Sequence, residues 1–496
     1  MSKSRIRSFG AMTDSRTGNG PLALGIVCAA ALAMACVPAT RAQARTKIGD
    51  RDIVSAVETN FLINDEVPSH KIDVTSKDGI VTLSGSVYNI LARDKATEIA
   101  ESIKGVRSVV NEIQVKPALR SDDEIRRDVL EALASDPATD SYKIDVKVEK
   151  GTVTLSGNVD SYGEKRLCTD VAKRVRGVKD VAEQIEIDYK TKRPDNEIAQ
   201  EVEAQLRDDV RIDAQRIAVK VDDGTVELAG TVPSAAERSS AIATAWVAGV
   251  RQVDASDLEV EWFAPDTMTR ESTNVTKSDD QIKKAVHDAL MQDPRVWSFD
   301  VGVDSNDGVV TLTGTVDNLK ASKAATEDAR DTVGTWWVKN HLKVRPLEYL
   351  SDAAIISSVK AALKRDPFLN RYDIVVSAYN GKVYLYGTVD TPFEKTEAED
   401  VAYRAKGVID VSDYLDVRES TPWRSDWEIR RSVEDQLSWD TAIDAQNVNV
   451  AVENGLVTLT GTVHNWYEYT EAAKDAFRGG ARELRNDLHM ENAPPA

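Results

Sequence analysis

Gly151-Thr-Val-Thr-Leu-Ser-Gly157 decides the fold of this chain, because the pattern Gly-x-Val-x-Leu-x-Gly occurs six times along it. The closing glycines of the six copies are separated by 72, 73, 84, 73 and 74 residues. Self-similarity at a fixed period of this size marks a repeat architecture. The pattern therefore predicts six copies of one small module. The six closing glycines are Gly85, Gly157, Gly230, Gly314, Gly387 and Gly461.

The residues around the phrase predict the elements of each module. In the first copy, residues 50–64 place Ile53, Val57 and Phe61 at helical spacing. Residues 71–87 alternate on either side of Asp78-Gly79, which is a hairpin turn signal. A second helical pattern and a third short apolar strand follow, up to residue 115. The prediction is an α+β fold: a tandem array of six helix-strand-strand-helix-strand modules, each a three-stranded sheet packed against two helices.

The closing glycine of each phrase lies within a strand, on the face that points inward. In the first copy it stands between Leu83 and Val87. Glycine weakens a strand unless a bend or a close approach of main chain requires it. We therefore expect a helix to pack directly on these structural glycines, and Gly157→Val to clash with that helix.

Module boundaries follow from the same pattern. The predicted modules are residues 48–117, 121–190, 194–262, 278–346, 350–418 and 424–490. Most linkers are a few residues long, but the stretch 263–277 is polar, contains Pro265 and has no apolar period. It accounts for the one spacing of 84 residues. The pattern predicts two triplets of modules joined there by a protease-sensitive hinge, where trypsin should cut first at Arg270 or Lys277 and give two stable halves of three modules.

A Gly-Val pair after the second helix completes a resemblance to a known family. The pairs are Gly105-Val106, Gly177-Val178, Gly249-Val250 and Gly407-Val408, with departures at Gly334-Thr335 and Gly480-Ala481. Together with the repeated phrase, these residues resemble the BON domain over nearly all of the chain after residue 44. That domain occurs in osmotically inducible periplasmic proteins and in outer-membrane-associated lipoproteins of Gram-negative bacteria. The resemblance implies association with phospholipid or envelope proteins, and no catalytic activity.

The N-terminal residues predict export. A basic segment precedes Leu22–Val37, an uncharged apolar run of 16 residues that is too short to span a bilayer comfortably. Ala42-Gln43-Ala44 then fits a signal-peptidase site, so residues 1–44 are predicted to be a signal peptide and the protein periplasmic. An uncleaved anchor and a lipoprotein attached through Cys36 remain alternatives.

Charge and cysteine usage limit the function classes. The formal net charge is −19, and residues 1–44 carry five positive and one negative side chain, so the chain from Arg45 onward carries −23. Such an acidic chain is a poor binder of nucleic acid and is expected to stay monomeric through self-repulsion. Cys168 is the one cysteine after residue 44. It is predicted to be a small apolar residue on a helix.

Two sets of side chains are candidate membrane contacts. The first is the basic segment, defined as Lys165, Arg166, Lys173, Arg174, Arg176 and Lys179. It predicts contact with anionic phospholipid, although a solvated helix face with cations near its C-terminus explains the same residues. The second set is Trp336 and Trp337, which are adjacent on a predicted strand and so point to opposite faces. An exposed tryptophan suits a membrane interface or a protein partner.

No pattern in the sequence predicts catalysis, a cofactor or a metal site. The five histidines stand at most one to a module, and none has a second histidine at ligand spacing. Asp304 and Asp307 lie in a polar loop before Gly308, but the spacing does not fit a calcium loop, and Asp307-Gly308 is more simply a hairpin turn. No serine stands in a nucleophile elbow.

These observations predict a peripheral, non-enzymatic periplasmic protein that supports the cell envelope under osmotic or envelope stress. It would present repeated surfaces to phospholipid or to envelope proteins, and weak sites would be strengthened by multivalency. A periplasmic chaperone for unfolded or outer-membrane clients is the first alternative, because an acidic surface keeps complexes soluble. A small-ion sensor, a role that the family also includes, is the second.

Overall fold

The computed structural model describes residues 48–139, 142–189, 192–261, 277–296, 299–418 and 424–490. All of them fall within one compact unit, residues 47–496. The described residues form twelve α-helices and six separate sheets, in the order helix-strand-strand-helix-strand six times over. The predicted α+β fold class is confirmed. The predicted signal peptide lies outside the described residues.

The bounds of the elements are similar in all six modules. The first helices span Asp50–Ile63, Asp122–Ser135, Asp195–Asp208, Asp279–Gln292, Asp352–Arg365 and Asp426–Trp439. The second helices span Ile90–Ser102, Tyr162–Lys173, Ala235–Thr244, Leu319–Arg330, Pro392–Tyr403 and Trp466–Arg478.

The strands follow the same plan. The first strands are Ile72–Lys77, Ile144–Glu149, Ile217–Asp222, Val301–Asn306, Val375–Tyr379 and Val448–Glu453. The second strands are Ile80–Val87, Thr152–Val159, Thr225–Val232, Val309–Val316, Lys382–Val389 and Leu456–Val463. The third strands are Ser108–Asn111 with Gln114–Val115, Asp180–Ile187, Gln252–Val260, Trp337–Asn340 with Lys343–Val344, Asp410–Val417 and Glu483–Met490.

The second strand is the centre of every sheet. It pairs antiparallel with the first strand and parallel with the third, so the second helix is the crossover of a strand-helix-strand unit. A two-residue turn joins the first two strands, and in module 2 its residues Lys150 and Gly151 have φ of 51° and 83°. Turns with positive φ at both positions match the right-handed twist of the strands. The hairpins predicted at Asp78-Gly79 and Asp307-Gly308 are confirmed.

An aspartate at the start of each first helix holds this turn. In module 2, the two carboxylate oxygens of Asp122 accept hydrogen bonds from the main-chain N–H groups of Lys150 (2.8 Å) and Gly151 (2.9 Å). All six modules repeat this pair of bonds. The first helix is thereby fixed to the hairpin by charge-assisted hydrogen bonds. The six aspartates are Asp50, Asp122, Asp195, Asp279, Asp352 and Asp426.

The structural glycines lie against the main chain at the start of the neighbouring first strand. The expectation that a helix packs on them is wrong. All six have positive φ, which is +140° at Gly157 and at Gly387. A Cβ on Gly157 would lie 2.5 Å from the carbonyl oxygen of Lys143, just before the first strand. At Gly461 the carbonyl of Asn447 is closer still, whereas at Gly387 the equivalent oxygen is 3.1 Å away. The glycine is required because the neighbouring strand enters the sheet directly over it.

Each module has its own hydrophobic core. In module 2, Ile125 and Val129 from the first helix meet Val153 and Leu155 from the central strand and Cys168 from the second helix. All five side chains are almost completely buried. The prediction that Cys168 is a small apolar helix residue is confirmed.

A polar side chain also ends each first helix. In module 5 the carboxylate of Asp366 accepts the main-chain N–H of Phe368 at 2.8 Å, and burial raises the pKa of Asp366 to about 7. Asn64 makes the equivalent bond in module 1. The other modules use Asp136, Asp209, Asp293 and Asp440. Main-chain hydrogen bonds between modules lie close to several of these residues.

Three pairs of modules are joined near these residues by main-chain hydrogen bonds. Module 1 bonds to module 6, module 2 to module 5, and module 3 to module 4. The order is nested, so the chain folds back on itself between modules 3 and 4. The bonds run from the N–H of Lys104 to the carbonyl of Trp439 (3.0 Å), from Arg176 to Arg365 (2.8 Å) and from Val210 to Asp331 (3.0 Å).

This pairing places the two predicted triplets in direct contact with each other. Each module of the first triplet bonds to one module of the second. A buried ion pair adds to this contact, because Lys320 Nζ lies 2.8 and 2.7 Å from the two carboxylate oxygens of Asp136. Most of the predicted hinge, residues 262–276, lies outside the described residues.

The two triplets repeat each other in detail. In module 1, the Asn111 amide donates to Thr97 Oγ1 (2.7 Å), and in module 4 the Asn340 amide donates to Thr326 Oγ1 (2.8 Å). Both asparagines stand where the third strand is interrupted. The contact of module 1 with module 6 is likewise equivalent to that of module 4 with module 3. Module 1 in the first triplet is thus the structural equivalent of module 4 in the second.

Candidate functional site

Half of the basic segment joins modules to one another. Lys173 Nζ lies 2.8 Å from a carboxylate oxygen of Asp94 in module 1. Arg174 Nη1 lies 3.1 Å from Glu397 in module 5, and burial lowers the pKa of Arg174. Arg176 donates from its main chain and its side chain to module 5. These three cations hold the assembly together at positions where sequence analysis predicted a lipid contact.

The other three cations of the basic segment stay within module 2. Lys165 lies 3.9 Å from Glu183, and Lys179 is half-buried against the turn at Gly151. Arg166 is exposed on the second helix. The six cations of the basic segment therefore do not form one surface. Contact of the segment with lipid stays a prediction, and Arg166 is the most exposed of the six side chains.

Trp336 and Trp337 differ in exposure, as their opposite directions predict. Trp336 is half-buried, and its indole ring lies against the hairpin turn at Gly308. Trp337 is 51% exposed and meets the ring of Trp466 in module 6 edge to face, with centroids 4.9 Å apart. Trp337 therefore belongs in part to a contact between modules.

The most exposed tryptophan of the described residues is Trp427, on the first helix of module 6. It is 65% exposed, and the guanidinium carbon of Arg431 lies 5.6 Å from its ring centroid. The core face of this helix carries Ile429 and Val433. Because Trp427 and Arg431 are four residues apart and out of phase with that face, helical spacing places them together on the solvent side. The sequence signal for this pair is the spacing of Trp427 and Arg431, four residues apart and out of phase with the apolar positions Ile429 and Val433.

Module 5 carries a second aromatic surface, on the outer face of its sheet. Tyr414 on the third strand stacks on Tyr386 (centroids 5.4 Å apart) and on Tyr384 (6.5 Å) of the central strand, and Tyr379 on the first strand is exposed beside them. The outward positions of the repeated phrase hold threonine, serine, alanine, glutamate or aliphatic residues in the other modules. The tyrosine face is thus a departure from the repeat, and a contiguous exposed apolar patch favours a protein contact.

Within the described ranges, no group of three or more His, Cys, Asp or Glu side chains is arranged to hold a metal ion. Burial raises the pKa of the Cys168 thiol to about 12, with Glu164 and Asp136 adding to the effect, so the reactive thiolate is disfavoured. None of the described helices has the length and apolar character that crossing a membrane requires.

Comparison with known proteins adds a family match. The family model of the BON domain matches residues 49–117, 121–189, 194–261, 278–346, 351–419 and 425–492. Osmotically-inducible protein Y of Escherichia coli (strain K12) is 30% identical over 150 residues, which cover 29% of this chain and 73% of that protein. Outer membrane lipoprotein DolP of Haemophilus influenzae is 28% identical over 142 residues, which cover 27% of this chain and 73% of that protein.

Among solved structures, one match is the C-terminal domain of CdsD, a structural protein of the type III secretion system of Chlamydia trachomatis. It is 15% identical, and the match covers 42% of this chain and 96% of that domain with a TM-score of 0.12. A likeness of this size supports no conclusion about function.

Proposed function

The chain belongs to the BON-domain family, and from that premise we propose that it is a non-enzymatic binding protein of the periplasm that supports the cell envelope under osmotic stress. The names of the relatives support this proposal, since one is osmotically inducible and the other is an outer membrane lipoprotein. Neither relative is named as an enzyme. The finer proposal is peripheral binding of one monomer to anionic phospholipid.

The Trp427–Arg431 pair is the observation that carries the lipid proposal. An indole ring with a cation beside it suits the boundary between head groups and acyl chains. Each cation near an anionic surface contributes about 1 kcal/mol. Since 65% of Trp427 is exposed, inserting its ring would bury about 130 Å² and contribute at most about 3 kcal/mol. The net charge of −23 repels an anionic bilayer as a whole, so a local contact of this kind is needed.

Flotation with anionic vesicles tests the lipid proposal. We expect Trp427→Ala to lower binding to vesicles of mixed phosphatidylglycerol and phosphatidylethanolamine by at least tenfold, and Arg431→Ala to lower it about fivefold at low salt. Arg166→Glu is the matched test of the basic segment. If Trp427→Ala floats as the parent does while Arg166→Glu does not, the lipid contact lies on module 2 instead. If the parent does not float at all, the lipid proposal fails.

The tyrosine face favours a second candidate function, the binding of unfolded or envelope proteins. Tyrosine gives a large contact area for little loss of side-chain entropy. The readout is suppression of the aggregation of a denatured outer-membrane protein without lipid. Tyr386→Ser combined with Tyr414→Ser should weaken that suppression and leave flotation unchanged. Equal suppression by the parent and the double variant would count against this function.

A further inference from the structure

A cavity of about 470 Å³ lies where modules 2, 3 and 4 meet. Its walls are the second helix of module 2, the ends of both helices of module 3, and the ends of both helices of module 4. On one wall the rings of Tyr162 and Trp246 stack in parallel, with centroids 4.1 Å apart. Arg166 of the basic segment lies on this wall, whereas the Trp427–Arg431 pair and the tyrosine face of module 5 do not.

The cavity wall has an excess of carboxylates. Its charged side chains are Asp170, Asp208, Asp209, Asp293, Asp328, Asp331, Arg166, Arg211 and Arg295, a formal charge of −3. Two of the arginines already form ion pairs on the wall, Arg211 with Asp209 and Arg295 with Asp293. Lys277, outside the wall, pairs with Asp208 and leaves an excess of about two negative charges.

Among the described residues of this wall, Asp328 carries the one buried side-chain oxygen that has no hydrogen-bond partner. Its Oδ2 is buried and has no hydrogen-bond partner within the part of the chain that the structure describes. Burial raises the pKa of Asp328, Asp293 adds to the rise, Arg295 opposes it, and Asp331 and Glu327 raise it further. A buried carboxylate without a donor is costly, so such an atom in a folded protein needs an explanation.

Comparison within the chain shows that Asp328 replaces a core residue. Counted from the N-cap of the second helix, the equivalent residues are Ile99 in module 1, Val171 in module 2 and Val401 in module 5, all buried. Module 6 has Asp475 there, whose Oδ1 pairs with Arg478 at 3.0 Å and whose Oδ2, like that of Asp328, is buried without a hydrogen-bond partner among the described residues; Asp475 does not line the cavity. The acid at position 328 is thus specific to modules 4 and 6, and only Asp328 faces this cavity.

We propose that the cavity binds a linear aliphatic diamine or polyamine. Ammonium groups supply the N–H donors that the carboxylates of Asp328 and Asp170 can accept, and methylene groups pack against the Tyr162–Trp246 wall. The charge of such a ligand, +2 or +3, offsets that of the wall. An extended organic cation fits better than a metal ion, because no three of these carboxylates converge as metal ligands within the described residues.

Titration calorimetry of the full mature chain with spermidine, at fixed ionic strength set by potassium chloride, tests the proposal. We expect saturable one-to-one binding that Asp328→Asn weakens at least tenfold. Asp475→Asn is the matched control, because it removes an equivalent buried acid away from the cavity, and it should bind as the parent does. Asp170→Asn, at a less buried wall position, should weaken binding several-fold without placing the fold at risk. Putrescine should bind more weakly than spermidine, since it carries one charge fewer.

Three results would overturn the proposal. The first is the absence of saturable binding, in which case Asp328 holds only a proton shared with its neighbours. The second is equal weakening by Asp328→Asn and Asp475→Asn, which would indicate a general loss of negative charge. The third is a binding heat for magnesium equal to that for spermidine at the same concentration of positive charge, which would show nonspecific counterion binding. Thermal unfolding of each variant verifies that the comparison is made between folded proteins.

Discussion

The nested pairing of modules makes Lys320 a sensitive test of the architecture. Its ammonium group joins module 4 to Asp136 of module 2 and so bridges the two triplets, with both side chains nearly buried at 12% and 6% exposure. Lys320→Met keeps the aliphatic stem and removes the charge. Lys323, one turn further along the same helix, pairs with Asp400 of module 5 within one triplet, at 49% and 31% exposure. Lys323→Met is therefore the matched control.

The two variants should differ widely in cost. Removing one partner of a buried ion pair costs about 3–5 kcal/mol, because the other charge is left buried without it. Asp136 keeps the main-chain N–H of Ala138 at 2.9 Å, so we expect the lower end, about 3 kcal/mol. The exposed Lys323 pair should be worth about 0.2–1 kcal/mol. Adding Asp136→Asn to Lys320→Met should restore part of the loss, because no unpaired charge then remains.

The assay measures how strongly the two triplets hold each other. A protease site placed within residues 263–276 allows the chain to be cut between modules 3 and 4, and sedimentation of the cut protein gives the dissociation constant of the halves. A loss of about 3 kcal/mol corresponds to roughly 150-fold weaker association for Lys320→Met. Lys323→Met should leave the association of the halves unchanged, because its ion pair with Asp400 lies within one half. If the parent halves separate freely, or if both variants weaken association equally, the nested arrangement is refuted.

Three further predictions concern single positions. Gly157→Ala should destabilise module 2 by about 2–4 kcal/mol, because φ is +140° and the added Cβ would lie 2.5 Å from the facing carbonyl oxygen. Gly387→Ala should destabilise module 5 less, because φ is the same but the facing carbonyl oxygen is 3.1 Å away. Hydrogen exchange within each module measures both losses of stability, and equal losses would refute the role of the carbonyl contact. Hydrogen bonds from Gly308, Ser305 and Asp307 lower the pKa of Asp279, so its contribution to stability is present above pH 3.8 and is lost as the pH falls through its folded value. In acid titration below pH 3.8, Asp279→Asn should therefore lose the stability of module 4 less steeply than the parent does. N-terminal sequencing of the exported protein should begin near Arg45, and a lipid-modified Cys36 at that terminus would establish anchoring instead.

Much of each module could be predicted because its signals are local. The hairpin turn needs positive φ, which the Asp78-Gly79 pair and its equivalents accept, and the alternation around it fixes which face is buried. The structural glycines were located correctly, but their neighbour was not. Their contact is the carbonyl of Lys143 in module 2, which belongs to the adjacent strand. A pattern of alternation shows that a face is crowded, but it does not show which backbone crowds it.

Sites that depend on two modules escaped prediction for a related reason. The basic segment is a run of like charges in sequence, yet Lys173 and Arg174 meet Asp94 and Glu397, which lie 79 and 223 residues away. The cavity at Asp328 likewise forms from three modules. Charge along a chain cannot reveal its partners when those partners come from distant modules.

The sequence by itself determined the module: its order of elements, its turn, its core and its sixfold repetition all follow from periodicities of 2 and 3.6 and from glycine positions. Only the tertiary structure decided how six such modules combine. Their pairing depends on main-chain hydrogen bonds, such as that from Arg176 to Arg365, and these groups are the same for every amino acid. It also depends on buried ion pairs between residues such as Lys320 and Asp136, 184 positions apart. Contacts of this kind leave no period in the sequence, because the physical constraint acts across space after the modules have folded.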